Sequence, residues 1–131
     1  MRFPFRSIAA AFILLALATP AFAQSFGNPI APVESAAAEG GHVLKAGPGS
    51  LYGLTVAIGT TAGYAMVLNS TTVPSDGAVT PVLCYNIPAS SNAPYSYPWP
   101  VAFSTGITVV FSTTGCFTKT ASNAYFSAQV K

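Results

Sequence analysis

The stretch from Phe103 to Thr120, FSTGITVVFSTTGCFTKT, decides the fold class. Its centre, Ile107 to Phe111, is β-branched and aromatic, the composition that suits a pleated, half-buried surface. Gly106 and Gly115 bracket it as breakers, and Cys116 follows the second glycine. The segment reads as a buried strand ending in a tight turn, with a thiol placed to be tied to another strand.

Short apolar runs of the same texture recur on the N-terminal side. HVLKA (His42 to Ala46) is stopped by Gly47-Pro48-Gly49, which is strong turn chemistry. In Leu51 to Ile58 the period is two: Tyr52, Leu54, Val56 and Ile58 fall on one side, with Gly53, Thr55 and Ala57 on the other. Tyr64 to Asn69 is a third run. Val73-Pro74-Ser75-Asp76-Gly77 then turns the chain: Pro74 fixes φ, Asp76 can bond the local backbone, and Gly77 accepts a positive φ. Val82 to Ile87 carries Cys84 on the side opposite Leu83, Tyr85 and Ile87. Asn123 to Val130 closes the chain, with Phe126, Ala128 and Val130 alternating against Tyr125, Ser127 and Gln129. Glycine or proline bounds each run too closely for a stable helix. About six or seven short strands at turn spacing predict an all-β fold, a small antiparallel β-sandwich or a jelly-roll-like barrel.

The N-terminus reads differently. Arg2 and Arg6 precede an apolar run, Ile8 to Ala18, and Ala21-Phe22-Ala23 has the small-x-small pattern of a cleavage site. The apolar run is about half the roughly 20 residues that span a bilayer. Residues 1–23 are therefore expected to be a secretory signal peptide, the alternative being a short uncleaved anchor. Residues 24–41, rich in Ala, Pro, Gly and Ser, read as a flexible linker, and residues 42–131 as one β-sandwich domain. No later segment reads as a membrane span. An outer-membrane barrel would need strands of about 9–11 residues, more than eight such strands could find after His42.

Removal of residues 1–23 changes the charge. Lys45, Lys119 and Lys131 then balance Glu34, Glu39 and Asp76, and no arginine is left. Nucleic-acid binding, which relies on a basic face, is excluded on that count. A surface without net charge lacks the repulsion that keeps copies apart, so self-association is expected. The competing reading is a surface kept soluble by Ser, Thr and Asn. In an exported chain Cys84 and Cys116 most simply form one disulfide, with two buried free thiols as the alternative.

Residues able to do chemistry are few. His42 is the sole histidine and Asp76 the sole aspartate, no G-x-S-x-G elbow occurs, and the cysteines lack zinc-ligand spacing. No catalytic residue, metal site or cofactor is expected. Ala89 to Pro100 reads as an irregular loop, within which APYSYPWP alternates Tyr95, Tyr97 and Trp99 with proline or serine. These stiff aromatics either contact a glycan or protein partner or fold back to plug the sandwich. Asn69-Ser70-Thr71 matches the N-glycosylation acceptor pattern.

The stretches LKAGPGSLYGLTV, GYAMVLN, VPSDGAVTPVLCYNIPA and FSTGITVVFSTTGCFTKT together resemble small β-rich proteins encoded in proteobacterial phage and prophage regions. The similarity runs from about Leu44 to Lys131. It implies a compact β domain with a structural role in or around virions, and no catalytic residues. The export signal is a departure, since virions assemble in the cytoplasm. The combined expectation is a secreted or periplasmic, non-enzymatic structural or binding domain. Its partner is then another copy, or a surface or virion protein; the alternative is a recognition module acting through Tyr95, Tyr97 and Trp99.

Overall fold

The computed structural model describes residues 29–131; the signal-peptide reading of residues 1–23 and the start of the linker lie outside them. Ten strands follow in order: β1 (Ala31–Glu34), β2 (Gly41–Lys45), β3 (Gly49–Ile58), β4 (Gly63–Asn69), β5 (Gly77–Ala78), β6 (Leu83–Ile87), β7 (Asn92–Phe103), β8 (Ile107–Ser112), β9 (Thr118–Lys119) and β10 (Ala124–Val130). They form two four-stranded antiparallel sheets, ordered β1-β10-β3-β7 and β2-β8-β4-β6, and a two-stranded ribbon, β5-β9. The all-β sandwich expected from the alternation is the fold observed.

The core lies between the two larger sheets. Leu54, Val56, Ile58, Phe126, Ala128 and Val130 enter it from the first sheet, and Ala65, Val67, Ile107, Val109 and Phe111 from the second. Gly63 has a packing reason to be glycine. A Cβ there would sit 2.6 Å from the Phe111 ring and closer still to the Ser112 carbonyl, so the missing side chain makes the hole the ring fills. Tyr52 does not join the inward row. The ladder slips between Leu51 and Gly53, and Leu51 takes the buried place.

Three further expectations are corrected. The linker read as flexible contains β1, which pairs along β10 from Ala31↔Val130 to Glu34↔Ser127, because the edge of β10 would otherwise present open backbone groups. The loop expected at Ala89 to Pro100 is mostly β7. It lies at a sheet edge, where prolines cost no ladder bonds on the solvent side. Asp76, expected to bond its own turn, reaches Lys119 and Ala121 instead. Gly77 does adopt positive φ, at 136°.

β8 is buried along its whole length. Its second face, away from the main core, carries Thr108, Val110 and Ser112. Val110 packs with Met66 and Leu68, and Val79 and Cys84 close this smaller cluster. The segment from Val73 to Val82 and the turn after β8 make the cover, joined through the β5-β9 ribbon. Ser112 organises it: its hydroxyl donates to Thr118 O (2.8 Å) and accepts the amides of Thr114 (3.2 Å) and Thr120 (2.9 Å). Thr108 Oγ1 donates to Ser70 O at 2.7 Å, so the polar groups on this face are paired. A disulfide between Cys84 and Cys116 pins the cover to β6.

Truncating the ring that fills the Gly63 hole, Phe111→Ala, is expected to cost about 3–5 kcal/mol. The loss should appear as a lower urea midpoint at unchanged slope, and a small shift would mean the ring is not central to the core. Replacing Cys84 and Cys116 together by alanine reopens a loop of 32 residues. It should cost roughly 3–4 kcal/mol by loop entropy, and an unchanged midpoint would show that the cover is held without the bond.

Candidate functional site

Tyr95, Tyr97 and Trp99 of β7 part company. Tyr95 and Tyr97 turn inward and pack against the core, on the side where β6 of one sheet faces β7 of the other. The Tyr95 ring stacks on Tyr85 with centroids 3.9 Å apart and planes 19° from parallel. The Tyr85 and Tyr97 hydroxyls lie 3.0 Å apart. Burial raises both Tyr95 and Tyr97 above the usual phenol range, and the bond to Tyr85 adds to the shift at Tyr97. These two tyrosines close one side of the sandwich.

Trp99 points the other way and is 89% exposed. Ser96 pairs with Gly53 and Val101 with Leu51, so the four residues Tyr97 to Pro100 face the single residue Tyr52. The excess bulges out. Pro98 and Pro100 supply no N–H to a ladder and stiffen the bulge on both sides of the indole.

Four of the ionisable side chains are engaged with one another in two pairs. His42 Nδ1 lies 2.8 Å from Oε1 of Glu39. Lys119 has a side chain only 6% exposed, and its ammonium donates to Asp76 Oδ1 at 2.8 Å. The Ala121 amide also donates to that carboxylate, at 3.2 Å from each oxygen. Lys119 first, and the amide second, hold the Asp76 carboxyl below its ordinary 3.8. Among the described residues no group of three His, Cys, Asp or Glu could hold a metal ion. Asn69 of the glycosylation-type triplet spends its amide on structure: Nδ2 donates to Ser104 Oγ at 2.9 Å, and Oδ1 accepts the Thr105 amide at 2.9 Å.

A further open surface is the outer face of the β1-β10-β3-β7 sheet. Cross-strand pairing sets Glu34, Ser127, Thr55 and Pro94 in one row, and Pro32, Gln129, Gly53 and Ser96 in the next. At the other end Ala57 lies between Tyr125 and Asn92. Two adjoining depressions of about 200 and 300 Å³ run along this face and share Thr55 and Ser127. Tyr125, 54% exposed, stands at one end. The alternation of the last strand sets Tyr125 on the side away from Phe126 and Ala128 but carries no sign of the shape around it, which depends on which strands lie beside β10. No family model, curated protein or solved structure matches this chain, so these arrangements are read from its own geometry.

Because its folded-state pKa is depressed, Asp76 stabilises the fold above its unfolded value of about 3.9, and that contribution is lost as pH falls through the lower folded value. The thermal midpoint of Asp76→Asn should therefore lie below wild type at pH 7, and the gap should close below about pH 4. A gap that stays constant between neutral and acid pH in scanning calorimetry would remove the pair from the account.

Proposed function

We propose that the chain is an exported, non-enzymatic β-sandwich that works by contact and associates with copies of itself through the Trp99 bulge. The observation that carries this reading is the indole itself, 89% exposed and framed by two prolines. A large aromatic held in one place loses little conformational freedom on docking and fills a partner's pocket well, which is why tryptophan dominates binding hot spots. The tyrosines beneath it fix the base of the bulge.

Other features support parts of the reading. The balanced charges of residues 24–131 leave no repulsion between copies. The Cys84–Cys116 bond accords with an oxidising compartment, as an exported chain would meet. His42 and Asp76 are committed to Glu39 and to Lys119, and among the described residues no serine, threonine or cysteine is hydrogen-bonded to the histidine as a nucleophile would be. A structural role also agrees with what the resemblance to phage-region proteins implies.

Sedimentation velocity at rising concentration tests the self-association. The wild type should shift from monomer to larger species. Trp99→Ala should weaken that shift by about 2 kcal/mol, roughly thirtyfold in dissociation constant, while leaving the thermal midpoint unchanged. A wild type that stays monomeric, or an alanine variant that associates equally well, overturns the proposal.

A further inference from the structure

The outer face of the β1-β10-β3-β7 sheet has a chemistry of its own, independent of the Trp99 bulge. Across these four strands Glu34 is the sole charged side chain. Phosphate, sulfate or any polyanion would find no cation within the strands to offset its desolvation, Lys131 standing just past the end of β10. An apolar ligand would fare no better. Thr55, Ser127, Asn92, Gln129, Ser96 and Glu34 all reach this face, and covering them without partners would strand their hydrogen bonds.

The shape narrows the choice further. Over residues 53–57 the strand beside β10, β3, offers only Gly53, Thr55 and Ala57 on this side, so a shallow trough lies along it. From Gly53 to Ala57 the trough is about 13 Å long at the usual rise per strand residue. At its far end Tyr125 stands beside a mere methyl group, Ala57, and is more than half exposed. Donors and acceptors come from hydroxyls and amides, and the one carboxylate already accepts a bond from Ser127 Oγ at 3.3 Å. Such a trough suits a ligand that is long, uncharged, edged with hydroxyls and apolar on its ring faces.

We infer that this face binds a neutral oligosaccharide. One sugar ring stacks its C–H face on Tyr125, and its hydroxyls and those of the following rings bond with Asn92, Thr55, Ser127, Glu34 and Gln129. Tyr125 supplies the stacking surface. Asn92, across Ala57 from it, offers both a donor and an acceptor, and the trough over Thr55 and Gly53 takes the next rings.

The test is a printed array that carries neutral hexose and N-acetylhexosamine oligosaccharides beside sialylated and sulfated ones. It is probed with the exported chain and, to remove any avidity from self-association, with Trp99→Ala. Both proteins should select neutral glycans. Tyr125→Ala should lose about tenfold in affinity and Tyr125→Phe should keep it, since stacking needs the ring and not the hydroxyl. Asn92→Ala should lose affinity as well, and Tyr125 and Asn92 are both exposed enough for the folded state to survive. Capture of no neutral glycan, equal capture by Tyr125→Ala, or a preference for acidic glycans overturns the inference. Loss of self-association in Trp99→Ala with glycan capture intact would leave it standing, so the two proposals fail separately.

Discussion

A strand with no solvent face imposes the architecture. Every residue of Ile107 to Ser112 is buried, although only alternate ones point into the space between the sheets. Ile107, Val109 and Phe111 are satisfied by the facing sheet. Val110 on the reverse side, together with Met66 and Leu68, requires a second cover. An antiparallel sheet commonly leaves one face in water. This one cannot, and the segments after β4 and β8 are shaped by that requirement.

The cover is too small to support itself. Its ribbon has two residues in each strand, far short of what stands alone in water. Three different kinds of attachment hold it. Ser112 fixes the turn after β8 through three hydrogen bonds, and Lys119 with Asp76 joins the ribbon's two sides. The disulfide ties the turn back to β6. A nearly buried ammonium is costly unless paired, so the lysine makes the position of Asp76 a strong preference. The turn chemistry of Pro74, Asp76 and Gly77 thus does more than reverse the chain, because it aims one carboxylate at a partner 43 residues away.

Much of this was legible in the residues. β-branched content and a period of two located the main strands from His42 onward, and the export reading made a bond between Cys84 and Cys116 the simpler choice. What escaped detection had local signals that pointed elsewhere. β7 kept a strict alternation, Ala93, Tyr95 and Tyr97 inward against Asn92, Pro94 and Ser96 outward, but its prolines read as loop. They are tolerated because the strand is an edge, and edge position is a property of topology. β1 is four residues with no apolar period, and its strand character comes from β10 beside it. Leu51 displaced Tyr52 from the core through a slip in the ladder that occurs on both sides of β3, against β10 and against β7. The surface around Tyr125 was hidden for the same reason: it is assembled from four strands distant in sequence.

The two sheets therefore differ in what they leave available. One is covered on both faces, and its polar groups are consumed in holding the cover. The other has its core face filled and its reverse face bare, with small side chains along β3 and a single charge among its strands. Its edge at β7 carries prolines, which supply no amide for another strand to pair with, so a second copy could not simply extend the sheet there. Contact through that edge has to be made by side chains, and Trp99 is the one the bulge delivers. The same prolines that guard against strand-to-strand addition thus set the kind of contact the edge can make, an aromatic anchor in place of a backbone ladder.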